Sequence, residues 1–394
     1  MLIKPLIIVP AFKRHEALKR LLISLEKAEY PVEDIQIVIS LDGGYTKEVA
    51  EVAYSFMKNF THGNVKVIER NVNIGLKEHI IWCGDQSFIH GAVIVLEDDL
   101  IVDPYFYHFA KSATEYYQDD INIASIALYS PINNDFAYLR FDPMNNGTTG
   151  YFMQVTCSWG QIWTNRQWQS FKNWYSNANE DSVLKCPNIP LSIKEWPTSS
   201  WKKYFSAYIA QYNLFVFYPY LSYTTNCSDF GGTHEYKGTN KHQVPLASNY
   251  RKVDHFNFPE FNYKLSVYDS YMEPISNELL DALGLKLDDI EIDIYGIKPL
   301  SILKIKKFVL TTKKVKIAIC SYELRFKPFD KVYLSQVDSK NKAHVFLAKS
   351  ENVISSKANP YQLAVYFAGF NLFSKFFAKE YFSDYLKKLL RLKI

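Results

Sequence analysis

Three consecutive carboxylates, Glu97-Asp98-Asp99, end the apolar run Gly91-Ala-Val-Ile-Val-Leu96, and Leu100-Ile-Val102 follows at once. Acids crowded together repel unless something positive sits among them. The cluster is therefore either a solvated turn capping the helix that starts near Asp103-Pro104, or a cation site. It contains no cysteine, and histidine is only distant, so its oxygens suit a hard divalent ion, Mg2+ or Mn2+. In extended backbone, successive side chains alternate, which sets Glu97 and Asp99 on one side and Asp98 on the other. One or two acids can then hold metal while another accepts a sugar or ribose hydroxyl. Phosphate oxygens are natural partners for the open positions of such a metal, which neutralises a diphosphate leaving group as its bond breaks. Arg14 and Lys77 could add positive charge to the same phosphates. Neither Gly43-Gly44 nor Asn73-Ile74-Gly75 completes a P-loop or a GxGxxG fingerprint, which argues against ATP hydrolysis and dinucleotide binding.

The elements that must position these residues alternate. Leu6 to Val9 reads as a strand, and Ala17, Leu18, Leu21, Leu22 and Leu25 share a helix face. A strand at 35–41 ends in Asp42-Gly43-Gly44, a helical pattern covers about 46–60, and 65–69 reads as strand. After the Asn71–Gly75 turn come a helix from Leu76, the strand before the acids, a helix at about 104–118, and a strand at 124–130. Strand–helix alternation with short connections predicts an α/β fold: a mostly parallel sheet with helices on both faces. Ligands bind such sheets outside the carboxyl ends of the strands. Pro10 to Arg14, Asp42 to Gly44 and Glu97 to Asp99 all fall there.

From about 131 to 250 the pattern turns irregular and tryptophans gather (Trp159, Trp163, Trp168, Trp174, Trp196, Trp201), as in a substrate region built from loops. We expect one domain over 1–275, split into halves at 130, and a smaller α+β domain over 276–394. In the latter, Lys298 to Lys316 carries seven lysines and no acid. A formal net charge of +4 over 394 residues is too small to point to nucleic acid. Five scattered cysteines without a CxxC pair read as reduced cytosolic thiols. The opening apolar stretch is too short for a signal peptide, and no uncharged run spans a bilayer.

Taken in order, these segments resemble GT-A-fold glycosyltransferases, over roughly residues 1–260. The matching pieces are P-A-F-x-R from Pro10, Asp42-Gly43, N-x-G-L from Asn73, and V-L-E-D-D ending at Asp99. The resemblance implies a DxD-type motif in which Asp99 binds Mn2+ or Mg2+ bridging a donor diphosphate, with Glu97 and Asp98 beside the donor. It places Asp42 against the base, which would be uracil, and Pro10, Phe12, Arg14, Gly75 and Lys77 around the nucleotide sugar. C-S-W-G-Q-I-W from Cys157 is similar to the acceptor segment of N-acetylglucosaminyltransferase I and of bacterial family 2-like relatives, and W-P-T-S-S-W from Trp196 resembles the segment before that family's base. Pro219, Asn226 and Gly232-Thr233-His234 resemble the closing stretch of the bacterial relatives. The expected activity is inverting transfer of a hexosyl or N-acetylhexosaminyl group from a UDP-sugar to a hydroxyl of a surface glycan or lipid-linked oligosaccharide. Trp159 and Trp201 are acceptor platforms in this reading, and His234 completes the metal site or touches phosphate.

One position departs from that pattern. The inverting relatives carry an acid directly after the second tryptophan, where this chain has Lys202. A lysine at its ordinary pKa is protonated at neutral pH and cannot take a proton. Glu195 and Asp229 are the alternative bases. Two rivals remain open at this point: a sugar nucleotidyltransferase, and a non-catalytic nucleotide-sugar binder on a decayed transferase fold. The apolar, then basic, stretch from Asn359 to Ile394 could lie at the cytoplasmic membrane face. Alternatively, it packs on its own domain or on a second copy of the chain.

Overall fold

A computed structural model describes residues 3–31, 34–230, 238–249, 255–338 and 342–368. The chain divides into two compact units, one of 1–132 with 143–280 and the other of 133–142 with 281–394.

In the first unit, strand β1 (Leu6–Ala11) is wholly buried and leads into helix α1 (His15–Glu26). Ala17, Leu18, Leu21, Leu22 and Leu25 are the buried stripe of α1, at the three- and four-residue spacing of one helix face. Each leucine removed from water contributes on the order of 2 kcal/mol, so this stripe anchors α1 to the sheet. Then follow β2 (Ile35–Leu41), α2 (Lys47–Asn59), β3 (Gly63–Glu69), α3 (Gly75–Asp85), β4 (Ala92–Val95), β5 (Leu100–Val102), α4 (Phe106–Tyr117) and β6 (Ile123–Ala127). Beyond them lie β7 (Gly150–Met153), β8 (Gln161–Thr164), α5 (Asn165–Tyr175), α6 (Trp201–Gln211), β9 (Phe215–Pro219), β10 (Thr224–Asn226) and β11 (Val267–Tyr268).

The main sheet runs in the order β11-β7-β9-β6-β8-β4-β1-β2-β3. Its β4-β1-β2-β3 half is parallel throughout, as strand–helix alternation predicts. The other half is mixed, because β8 runs antiparallel to both β4 and β6, and β7 is antiparallel to β9. Insertion of β8 carries the Cys157–Trp163 segment into the sheet's centre beside the strand that ends in the acids.

Helix α5 begins with a capping box: the Thr164 hydroxyl accepts from the Gln167 amide at 3.2 Å, and the Gln167 side chain accepts from the Thr164 amide at 3.0 Å. Trp168, on α5, lies flat against Gly84, where a Cβ would sit 2.2 Å from the indole.

The second unit contains a sheet of β12 (Ile290–Asp293), β13 (Phe308–Thr311), β16 (Val345–Lys349) and β15 (Cys320–Tyr322), in that spatial order. A separate pair joins β14 (Lys313–Val315) to β17 (Val353–Ala358). Leu303, Val309, Ala348 and Val353 form a core cluster. Helix Pro360–Ala368 brings Phe367 onto Tyr295, stacked at 4.8 Å. The membrane reading of the C-terminal tail falls mainly on 369–394, outside the described residues. Among the described residues, no helix is long and apolar enough to cross a membrane.

Candidate active site

β1 lies between β2 and β4, and all three run parallel, so their carboxyl ends share one rim. There β1 delivers Phe12 to Arg14, β2 delivers Asp42 to Gly44, and β4 delivers Glu97 to Asp99. The Leu96 amide donates to Ile8 carbonyl at 2.9 Å, keeping the two chains paired up to the acids. Beyond the acids, β5 pairs antiparallel with β10, setting Asn226 opposite Leu100. The Cys227 amide donates to the Asp99 carbonyl at 2.9 Å, and Asn226 Nδ2 donates to Asp99 Oδ1 at 3.2 Å. Segment 224–227 thus fixes the last acid of the cluster.

Arg14 fills the space between the acids. Its Nη1 donates to Asp99 Oδ2 at 2.9 Å, its Nε to Asp98 Oδ2 at 3.4 Å, and its Nη2 to Asp98 Oδ1. Burial works against the guanidinium charge, but Asp98 and then Asp99 outweigh it and raise the Arg14 pKa. Burial is also the main cause that pushes Glu97 up to about 8, with Asp99 adding to it and Arg14 opposing it. Asp98 rises to about 6, again through burial first, with Arg14 pulling it back. The rim is thus a dense acidic cluster held together by one guanidinium.

Asp42 organises a loop. Its Oδ1 accepts amide protons from Gly43 and Ile74, both at 2.9 Å, and its Oδ2 accepts from Gly75 at 3.1 Å. The carboxylate therefore ties the turn after β2 to the start of α3. Gly75 meets it with a φ of +76°, a conformation glycine adopts without a Cβ penalty.

Arg70 is the residue that sequence reasoning missed. It follows β3, and its guanidinium carbon stands 4.4 Å from the centre of the Trp82 ring. Its Nε and Nη2 are buried without a hydrogen-bond partner among the described residues. Its amide donates to the Leu41 carbonyl at 3.1 Å, which places Arg70 beside the Asp42 turn. The available signal was an arginine directly before the N-x-N-x-G turn.

The remaining sequence candidates scatter. Pro10 is buried within β1, opposite Ser40 of β2, while Phe12 is half-buried at the rim, near Gly44. Lys77 points to the aromatic layer, 5.3 Å from the Tyr204 ring, with Glu78 at 3.6 Å. Trp159 is half-buried, 4.7 Å from Tyr129 and 4.6 Å from His242 by ring centres. Lys202 Nζ lies 5.7 Å from the Trp159 ring and 5.5 Å from that of Trp196.

Trp201, expected as an acceptor platform, is instead a core residue. It is 3% exposed and packs edge-on to Trp163 at 5.6 Å, so no sugar can reach its face. Trp196, half-buried beside Lys202, is the accessible indole of that segment. Asp229 is engaged by Arg20 of α1 in an ion pair. Glu195 is exposed at the end of the short helix Leu191–Lys194, and its carboxylate forms no ion pair among the described residues. His234 lies outside the described residues.

The acids offer hard oxygen donors of the kind Mg2+ and Mn2+ prefer. Their arrangement does not fit either ion, because Asp98 and Asp99 each already receive N–H groups on both carboxylate oxygens. Among the described residues, no set of three His, Cys, Asp or Glu side chains is disposed to hold a metal.

Residues 6–167 match the family model described as glycosyl transferase family 2. No curated protein is significantly similar to the chain. Among solved structures, the mannosyltransferase PcManGT from Pyrobaculum calidifontis, in complex with GDP-Man and Mn2+, aligns at 8% identity. The alignment has a TM-score of 0.32 and covers 43% of this chain and 46% of that one. TarS 1–349 from S. aureus aligns at 16% identity and a TM-score of 0.38, over 56% of this chain and 60% of that one. GalNAc-T7 with UDP, GalNAc and Mn2+ aligns at 13% identity and a TM-score of 0.39, over 55% and 42%. Each alignment spans less than two thirds of the solved chain. The stretch similar to glycosyl transferase family 2, residues 6–167, is thus the α/β part of the chain that carries the three rim segments at the ends of β1, β2 and β4.

Proposed function

We propose that the chain transfers a hexosyl or N-acetylhexosaminyl group from a UDP-sugar to a hydroxyl of a surface glycan or lipid-linked oligosaccharide, with inversion. The observation that carries this reading is the convergence of Arg14, the Asp42 turn and the Glu97-Asp98-Asp99 cluster on one rim of a family 2 domain. Arg70, beside the Asp42 turn with two nitrogens that have no partner among the described residues, is suited to an anionic or carbonyl group of the nucleotide. Arg14, beside Asp98 and Asp99, is the cation we assign to the diphosphate. Trp159 and Trp196 offer partly open ring faces to a pyranose near Lys202.

In the transfer, the acceptor oxygen forms a bond to the anomeric carbon as the bond from that carbon to the diphosphate oxygen breaks. The nucleoside diphosphate leaves, and the hydroxyl proton passes to a base. Asp229 and Glu195 are our candidates for that base. Asp229 must first give up Arg20, whereas Glu195 has no such pairing among the described residues.

Calorimetric titration with UDP, GDP and CDP, comparing the native chain with Asp99→Ala, tests the donor site. Binding of one nucleotide that the variant loses supports the reading; no binding at millimolar nucleotide overturns it. Glu195→Gln and Asp229→Asn, assayed for hydrolysis of the donor, then separate the two bases. Lys202 favours a second reading, a nucleotide-sugar binder without transfer. That reading predicts donor binding with neither transfer nor hydrolysis.

A further inference from the structure

We infer that the Arg14 guanidinium is the resident cation of the Glu97-Asp98-Asp99 cluster, and that a divalent ion can bind Asp99 only when Arg14 releases it. The guanidinium bridges two adjacent carboxylates: Nη1 reaches Asp99 Oδ2 at 2.9 Å, while Nε and Nη2 both reach Asp98. The other Asp99 oxygen is held by Asn226 at 3.2 Å. All four oxygens of Asp98 and Asp99 therefore have partners from the chain itself. The side chains of Arg14, Asp98 and Asp99 are 24%, 7% and 11% exposed, so solvent cannot cheaply take over these charge-assisted bonds. A metal approaching Asp99 Oδ2 meets a positive charge already in place.

Helix α1 does not hold Arg14 in this place. Arg14 stands immediately before α1, and its side chain makes no capping bond to that helix. Turning the guanidinium away therefore costs α1 nothing directly. If the rim binds a nucleoside diphosphate, which rests on the function proposed above, the diphosphate offers Arg14 a second anionic partner.

Mn2+ titration of the full chain, read by electron paramagnetic resonance and without nucleotide, tests the competition. Arg14→Gln is expected to bind Mn2+ at least about 10-fold more tightly than the native chain. Adding Asp99→Asn to that variant should abolish the gain. Arg14→Lys, which keeps one charge but lacks the fork, should fall between and serves if Arg14→Gln fails to fold by circular dichroism. Equal or weaker Mn2+ binding by a folded Arg14 variant overturns the inference.

Repeating the titrations with UDP separates the two proposals. If Arg14→Gln gains Mn2+ affinity but neither protein binds UDP, the competition stands and the transferase reading fails. If both bind UDP but the substitution leaves Mn2+ affinity unchanged, the competition fails and the transferase reading stands.

Discussion

The Asp42 carboxylate accepts the amide proton of Gly75 at 3.1 Å, across 33 residues of sequence, and makes the turn after β2 and the start of α3 one structure. The same carboxylate also accepts amide protons from Gly43 and Ile74. Asp42→Ala orphans the Gly43 and Ile74 amides, while the Gly75 amide keeps Asn73 Oδ1 at 2.9 Å, and we expect it to cost about 2 kcal/mol of stability and to abolish nucleotide binding. Asp42→Asn keeps one acceptor oxygen and should cost about half as much. Urea denaturation together with UDP titration reads both. Full stability in Asp42→Ala would show that the loop does not depend on this clamp.

Gly43 and Gly75 should respond differently to alanine. A Cβ at Gly43 would lie 2.1 Å from the carbonyl carbon of Val72 and 2.3 Å from the Asn73 nitrogen, which are backbone atoms that cannot swing aside. Gly43→Ala therefore forces the two loops apart and should remove nucleotide binding. Gly75 has a φ of +76° but open space around it, so alanine there meets only the left-handed backbone penalty, about 1 kcal/mol. Thermal melts and UDP titrations of the two variants should differ in this order. Similar losses in both would contradict it.

The parallel half of the sheet was legible because β1 and β4 are uninterrupted apolar runs and α1 carries its leucines at helical spacing. The rim segments follow from that layout, since strand ends in a parallel sheet collect on one side. The guanidinium bridge was not legible: Arg14 and Asp99 stand 85 residues apart, and a sequence shows that an arginine and an acid exist without showing that they meet. Trp201 failed for a related reason. Its residue type suits both a sugar platform and a core, and only the packing of α6 against Trp163 distinguishes them. The lysine-rich run from Lys298 to Lys316 looked uncompensated because its acidic partners, Glu291 and Asp293, lie just before it on β12.

Acid sensitivity should follow His79. Its Nε2 lies 2.8 Å from Ser40 Oγ, and burial, helped by Arg70, lowers its pKa from 6.5 to about 4. The unfolded chain takes up this proton at higher pH than the folded one. The contribution of the neutral imidazole is thus fully present above pH 6.5 and is lost as pH falls through about 4. A shift of that size corresponds to about 3 kcal/mol. His79→Gln, which retains a polar group near Ser40, should flatten the decline in stability between pH 6.5 and 4. Parallel stability-versus-pH curves for native and variant would exclude His79 as the cause.

The second unit buries a charge that depends on one partner. Lys313 and Asp293 are both fully buried and paired, and Lys313 Nζ also donates to the Lys298 carbonyl at 2.7 Å. Thr311 and the Lys298 amide complete the carboxylate, at 3.0 and 2.8 Å. Lys313→Met leaves Asp293 without its ammonium and should destabilise this unit by about 3–5 kcal/mol. Lys313→Met with Asp293→Leu should recover much of that loss. Guanidinium denaturation of the two proteins decides it, and a double variant as unstable as the single one would mean that the pair is not the source of the cost.

By the sequence resemblance alone, Lys202 falls at the position of the inverting transferases' acid, so Lys202→Asp asks whether a missing base is the only defect. Geometry argues against a gain. Lys202 sits between the Trp159 and Trp196 rings, and with Arg14 it is one of two positive charges opposing the rise of Glu97 toward about 8. Aspartate at this position removes that charge and adds a fourth carboxyl group beside three others. Glu97 should then be held still more firmly in its protonated form, and donor binding should weaken by about 10-fold. Lys202→Met removes the charge without adding another and should weaken binding less. UDP calorimetry and donor hydrolysis on both variants read the difference. Faster sugar transfer by Lys202→Asp would instead mean that the rim tolerates a carboxylate there and that Lys202 limits the native chain.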